Sequence, residues 1–128
     1  MTEPDTPLPT LTHTVRAAAM VPIADILRDP NPIHLDPAAV KAAGLGDRVI
    51  NQGPANLAYV MNMLARAFPD HRLEQMESRF LANVRDGDTV EAGGMITARE
   101  GNRIICEVWL NVADAGPAVK GRATLVRR

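Results

Sequence analysis

The 128-residue chain is long enough for one domain with a hydrophobic core of its own. Its apolar share of 46% and charged share of 23% exclude bulk disorder. A net charge of −1 and only one Trp, one Tyr and two Phe give neither the basic surface nor the stacking platforms of a nucleic-acid binder, and no run approaches the roughly 20 apolar residues of a membrane span.

Residues 1–9 are polar and Pro-rich without an apolar signal segment. They are expected to form a flexible leader to a single domain spanning 10–128, in a cytoplasmic protein. Leu11–Arg16 alternates like a short strand. Residues 17–28 are Ala-rich and helix-prone, although Pro22 favours only a helix that starts there.

The segment Asp29, Pro30, Asn31, Pro32, Ile33, His34, Leu35, Asp36 follows. Its two prolines fix two φ angles and push the residues before them towards extended conformations. The result is a stiff loop that can hold a carboxyl and an imidazole side by side. Asp36 is a good N-cap with Pro37 at the first helical position, so a short helix runs to Gly44.

A second helix starts at Gly53-Pro54 and ends before Pro69. Leu57, Val60, Met61, Leu64, Ala65 and Phe68 repeat at helical spacing, and Ala55, Ala58 and Met63 make its remaining surface apolar as well, which predicts a buried helix. The rest reads as strand. Met76–Asn83 alternates. Arg85-Asp86-Gly87-Asp88 turns into Thr89–Arg99, in which Gly93-Gly94 predicts a bulge or a close backbone contact. Glu100-Gly101-Asn102 is a hairpin turn. Ile104, Cys106, Val108, Leu110 and Val112 line one face of the next strand, and Val119, Gly121, Ala123 and Leu125 one face of the last. One buried helix followed by antiparallel strands is an α+β pattern, and a curved sheet wrapped round the helix would bury it. The single Cys106 excludes an internal disulfide and a Cys cluster for zinc.

Asp29, Asn31, Pro32-Ile33-His34 and Asp36, the helix end at Ala43-Gly44 and Asn51-Gln52-Gly53 opening the buried helix together resemble the MaoC-like, (R)-specific enoyl-CoA hydratase family. Ser78-Arg79-Phe80 and the Val84–Asp88 turn add to the resemblance, which covers roughly residues 25–126. It implies a hot-dog fold, in which an antiparallel sheet wraps a central helix. It also implies a thioester substrate and a dimer, formed with an identical chain or a paralogue, whose second subunit helps to line each active site.

The implied reaction is reversible addition of water to a trans-2-enoyl-CoA, giving the (R)-3-hydroxyacyl-CoA. It needs water activated at C3, a proton at C2 and stabilised charge on the thioester oxygen. The family's motif acid and histidine map onto Asp29 and His34, with His34 assigned to water and Asp29 to the C2 proton; the reverse assignment stays open. Gly53, preceding Pro54 at a helix start, has the attributes of an oxyanion donor. Asn31 is expected to hold the loop by side-chain to backbone bonds, and it stands with Gln52 and Arg79 among the substrate-binding candidates. Arg85, Lys120 and Arg122 are further candidates for coenzyme A phosphates. No metal or redox cofactor is required, since coenzyme A enters with the substrate.

The chain departs from the family pattern at Gln52, where a His is usual, and at Arg28, which either holds Asp29 as carboxylate or points to solvent. The alternatives to a self-sufficient hydratase are a subunit of a heteromeric hydratase and a thioesterase on the same fold.

Overall fold

The computed structural model describes residues 3–128. In chain order it contains β1 (Leu11–Thr14), α1 (Ala17–Leu27), a single 3-10 turn at Pro32–His34, α2 (Pro37–Ala42), α3 (Gly53–Ala67), β2 (His71–Phe80), β3 (Thr89–Glu100), β4 (Arg103–Val112) and β5 (Gly116–Arg127). The strands form one antiparallel sheet in the order β1-β3-β4-β5-β2. This is the expected hot-dog architecture in one α+β domain. Its topology is not a simple meander, because β2 crosses to the far edge and pairs with β5.

The period-2 pattern sets the sheet's inner face. Ile104, Cys106, Val108, Leu110 and Val112 of β4 are all buried, as the alternation requires. They pack with Val90, Ala92, Ile96, Ala123 and Leu125 from the flanking strands and with Val60, Met63 and Leu64 of α3. Burial pushes the Cys106 thiol up to about 11, leaving it a small core side chain.

Helix α3 is covered on one flank rather than on nearly every side. Val60, Leu64 and Phe68 of the expected stripe are buried, but Met61 is 41% exposed and Ala65 is exposed as well. A five-stranded sheet can cover only one side of a helix.

Two further expectations are corrected, and a third, open between two readings, is decided. Part of the leader is attached: Asp5 N–H donates to the Ile96 carbonyl, Ile96 N–H to Thr6 and Leu8 N–H to Gly94, and Leu8 is buried. Thr6 and Leu8 continue the ladder on β3, while Pro7, which has no N–H to offer, takes an edge position. Met1 and Thr2 lie outside the described residues. Helix α1 starts five residues before Pro22, because a side chain from a distant turn supplies its first N–H with a partner. Of the two readings of Gly93-Gly94 the close contact holds, with Trp109 over Gly93 and with Glu107 and Leu8 against Gly94, while the bulge in β3 lies between Ile96 and Ala98.

Candidate active site

The loop after α1 is held by local hydrogen bonds at every second residue. Arg28 adopts the left-handed conformation with φ 52° and closes α1: its N–H donates to Asp25 and the next N–H, of Asp29, donates back to Ala24. These two bonds form a Schellman motif built without glycine. Asp29 Oδ1 then accepts from Asn31 N–H at 3.1 Å, Asn31 Oδ1 from Ile33 N–H at 3.2 Å, and Asp36 Oδ1 from Ala38 N–H at 2.9 Å. Each is a short carboxyl or amide side chain reaching two residues ahead. Asn31 is thereby occupied in starting the 3-10 turn.

His34 is buried, with 8% of its surface exposed. Its Nδ1 lies 2.6 Å from the Ile50 carbonyl oxygen. A carbonyl only accepts, so Nδ1 must carry the proton, and in the neutral ring Nε2 holds the lone pair. Nε2 faces Asp29 Oδ2 at 3.5 Å, and the Asp29 side chain is 42% exposed. The structure therefore brings the two predicted groups together, one fixed in the protein and one open to solvent.

Ile50 is itself pinned. Its N–H donates to Ile33, and Asn51 N–H donates to Val84. The Val84–Asp88 turn braces this region from below. Asp86 Oδ1 accepts the Ala17 N–H of α1, and Asp88 accepts from Arg85 N–H and pairs with Arg48 at 2.9 Å. Arg48 also donates to the Asp86 carbonyl, while the Arg85 guanidinium donates to the Arg48 carbonyl. Arg85 is thus part of a clasp. Asp86, Asp88 and Arg48 were not legible as supports, since their partners lie up to 69 residues away.

Gly53 opens α3, where the first N–H groups have no intrahelical acceptor. The Phe80 ring covers its Cα: a methyl group there would sit 3.2 Å from Phe80 Cζ. Gln52 differs from its expected role. Its side chain is fully enclosed and its Nε2 donates to the Met20 carbonyl at 2.9 Å. It anchors the start of α3 to α1 and presents no surface to a ligand. Its Oε1 is buried without a partner. Asn51 donates to Asn56 Oδ1 and to the Tyr59 hydroxyl, a cluster that composition did not reveal; burial raises the Tyr59 hydroxyl's pKa, with the Asn51 bond opposing it.

Arg79 is separate from Asp29 and His34. It lies on the convex face of the sheet with Lys120 and Arg122. Arg28 is exposed, and no ion pair joins it to Asp29 among the described residues. His13 packs against the Tyr59 ring. Among the described residues no group of three or more His, Cys, Asp or Glu is placed to hold a metal ion, and no helix is long and apolar enough to cross a membrane.

A family model described as a MaoC-like domain matches residues 1–115. An (R)-hydratase from A. caviae involved in PHA biosynthesis is 25% identical, with a TM-score of 0.90 over 98% of this chain and 97% of that one. The ChsH1-ChsH2 complex from Mycobacterium tuberculosis contains a chain 22% identical, with a TM-score of 0.89 and full coverage of both chains. A C-terminally truncated HadBC complex from the same organism, a 3R-hydroxyacyl-ACP dehydratase, matches at 13% identity and a TM-score of 0.75, covering 91% of this chain and 90% of that one. The last two likenesses speak for the fold. No curated protein matches the sequence.

Proposed function

The chain belongs to the MaoC-like family of hydratases and dehydratases, and from that premise we propose that it adds water reversibly to a trans-2-enoyl-CoA, giving the (R)-3-hydroxyacyl-CoA. The observation that carries this reading is the His34 imidazole, fixed through Nδ1 on Ile50 with its basic Nε2 turned to Asp29 at 3.5 Å.

In the hydration direction a water molecule placed between these groups gives its proton to His34 Nε2 as its oxygen bonds to C3. The C2–C3 π pair moves into the thioester, and the Gly53 N–H stabilises the resulting enolate oxygen. The Asp29 carboxyl then protonates C2. Imidazolium and carboxylate remain as neighbours, and return of the proton from His34 to Asp29 restores the pair. One water is added and no external acid, base, metal or redox group is consumed. Coenzyme A enters only as part of the substrate.

Crotonyl-CoA and longer or branched enoyl-CoAs test the reading through loss of the enone absorbance. Asp29→Asn and His34→Gln should each lower kcat by about 10²- to 10⁴-fold, the usual contribution of a positioned acid or base. Full activity in both variants would overturn the roles. Release of free thiol without water addition would indicate a thioesterase.

A second reading is one subunit of a heteromeric hydratase: Val21, Ile26, Phe80 and Leu81 face outward in the single chain, a surface for a second chain, identical or paralogous, to cover. Activity that appears only on co-expression with a paralogue would establish it, whereas an active homodimer would exclude it.

A further inference from the structure

A cavity of about 600 Å³ opens on the convex face of the sheet, on the opposite side from α3. The strand register arranges its walls in rows. In one row Glu77 of β2 lies opposite Arg122 of β5, which lies opposite Glu107 of β4. The charges alternate, and two carboxylates against one guanidinium leave this row with one net negative charge, so the groove as a whole carries a single net positive charge. In the adjacent row Arg79 lies opposite Lys120, Lys120 opposite Trp109, and Trp109 opposite Gly93 of β3. Two cations face each other there, an arrangement that destabilises an antiparallel pair unless an anion is supplied. Among the described residues neither cation has a carboxylate within 4.0 Å.

The third wall is aromatic and held in place. A Cβ at Gly93 would lie 2.5 Å from Trp109 Nε1, so the glycine lets the indole rest across β3. Trp109 is half-buried and so presents a ring whose position is set before any ligand arrives. Strands lie about 4.8 Å apart, so the two cations and the indole span roughly 10 Å. That matches the reach from a phosphate through a ribose to its base.

We propose that this groove binds a free nucleoside phosphate, with the phosphate oxygens on Arg79 and Lys120 and the base against Trp109. Guanidinium and ammonium groups suit phosphate oxygens, and an indole suits a planar base. The scarcity of aromatics argues against a strand of nucleic acid, which needs several platforms, but one ring serves one base. The proposal stands independently of the hydratase reading.

Trp109 is the only tryptophan of the chain, so tryptophan fluorescence, excited beyond the absorption of Tyr59, reports this groove. ADP titrated into the full-length protein should give saturable quenching. Inorganic phosphate and adenosine, offered separately, should bind much more weakly. The Arg79→Ala/Lys120→Ala variant, with an unchanged circular dichroism spectrum, should bind ADP about tenfold more weakly or worse, the loss of two charge-assisted contacts. A calorimetric titration of Trp109→Phe should show weakened ADP binding.

Absence of a saturable ADP response at millimolar concentration overturns the proposal, as does equal affinity in the double variant. Equal affinity for ADP and inorganic phosphate reduces the groove to a bare anion patch and overturns the nucleoside assignment. Fluorescence that follows protein concentration rather than ADP makes the face an interface between copies of the chain and has the same consequence.

Discussion

The Asp86 carboxylate accepts the Ala17 N–H at 2.7 Å, so a turn after β2 caps a helix that begins 69 residues earlier. That helix, α1, ends in the left-handed Arg28 and delivers Asp29 to His34. The neighbouring residues of the same turn hold Arg48 and, through Val84, the segment that carries Ile50 and Gly53. One turn therefore positions Asp29, His34 and Gly53 together.

Asp86→Ala should cost about 1 kcal/mol of stability, the usual loss for a helix cap, with up to roughly 2 kcal/mol in unfavourable contexts. Because α1 positions Asp29, enoyl-CoA hydration should fall in kcat more than it rises in KM. Urea denaturation and steady-state kinetics on the same preparation check both. An unchanged kcat would show that the turn supports the fold without affecting the acid.

Arg28→Gly should raise stability by about 0.5–1 kcal/mol. A non-glycine residue in the left-handed region pays a steric cost of roughly 1–2 kcal/mol, and the greater freedom of glycine in the unfolded chain returns part of the gain. The midpoint of denaturant unfolding reads the difference. A lower midpoint would mean that the exposed Arg28 side chain contributes more than its backbone conformation suggests.

Gln52→Leu removes the bond to the Met20 carbonyl but also removes the partnerless buried Oε1. These effects oppose each other, and the stability change should stay within about 1.5 kcal/mol. Gln52→Ala should cost more, since it also leaves a void beneath α3. Both variants release the α1–α3 tie next to Gly53, so hydration should slow in each. Chemical denaturation and kcat measured side by side separate stability from positioning.

Stability should also fall as the pH drops through and below 6.5. Burial holds His71 below this ordinary value, aided by the nearby Arg127 and Arg99 and opposed by Asp70, and its buried Nδ1 has no hydrogen-bond partner. The unfolded chain then binds the proton more readily than the folded one, so the contribution is complete above 6.5 and is lost as the pH falls towards the depressed folded value. His71→Leu should flatten that part of a stability–pH profile. An identical slope in the variant would assign the dependence to another group.

Most of the elements, and the placing of an acid and an imidazole on one stiff loop, are legible in the amino-acid order. Local rules suffice there: Asp36 and Pro37 start a helix, alternation in Ile104–Val112 chooses the buried face, and the prolines around Asn31 stiffen the segment that carries Asp29 and His34. Packing between distant segments sets which edge of the sheet β2 joins, how far before Pro22 α1 begins, that residues 5–8 lie along β3, and that Gln52 points inward while Arg79 faces the convex side. The tautomer of His34 depends on the Ile50 carbonyl, and the seating of Asp29 depends on Asp86. These relations join groups from 16 to 69 residues apart. Propensity and periodicity act over a few residues, whereas a hydrogen bond between distant segments forms only after the core has packed and closed the chain between them.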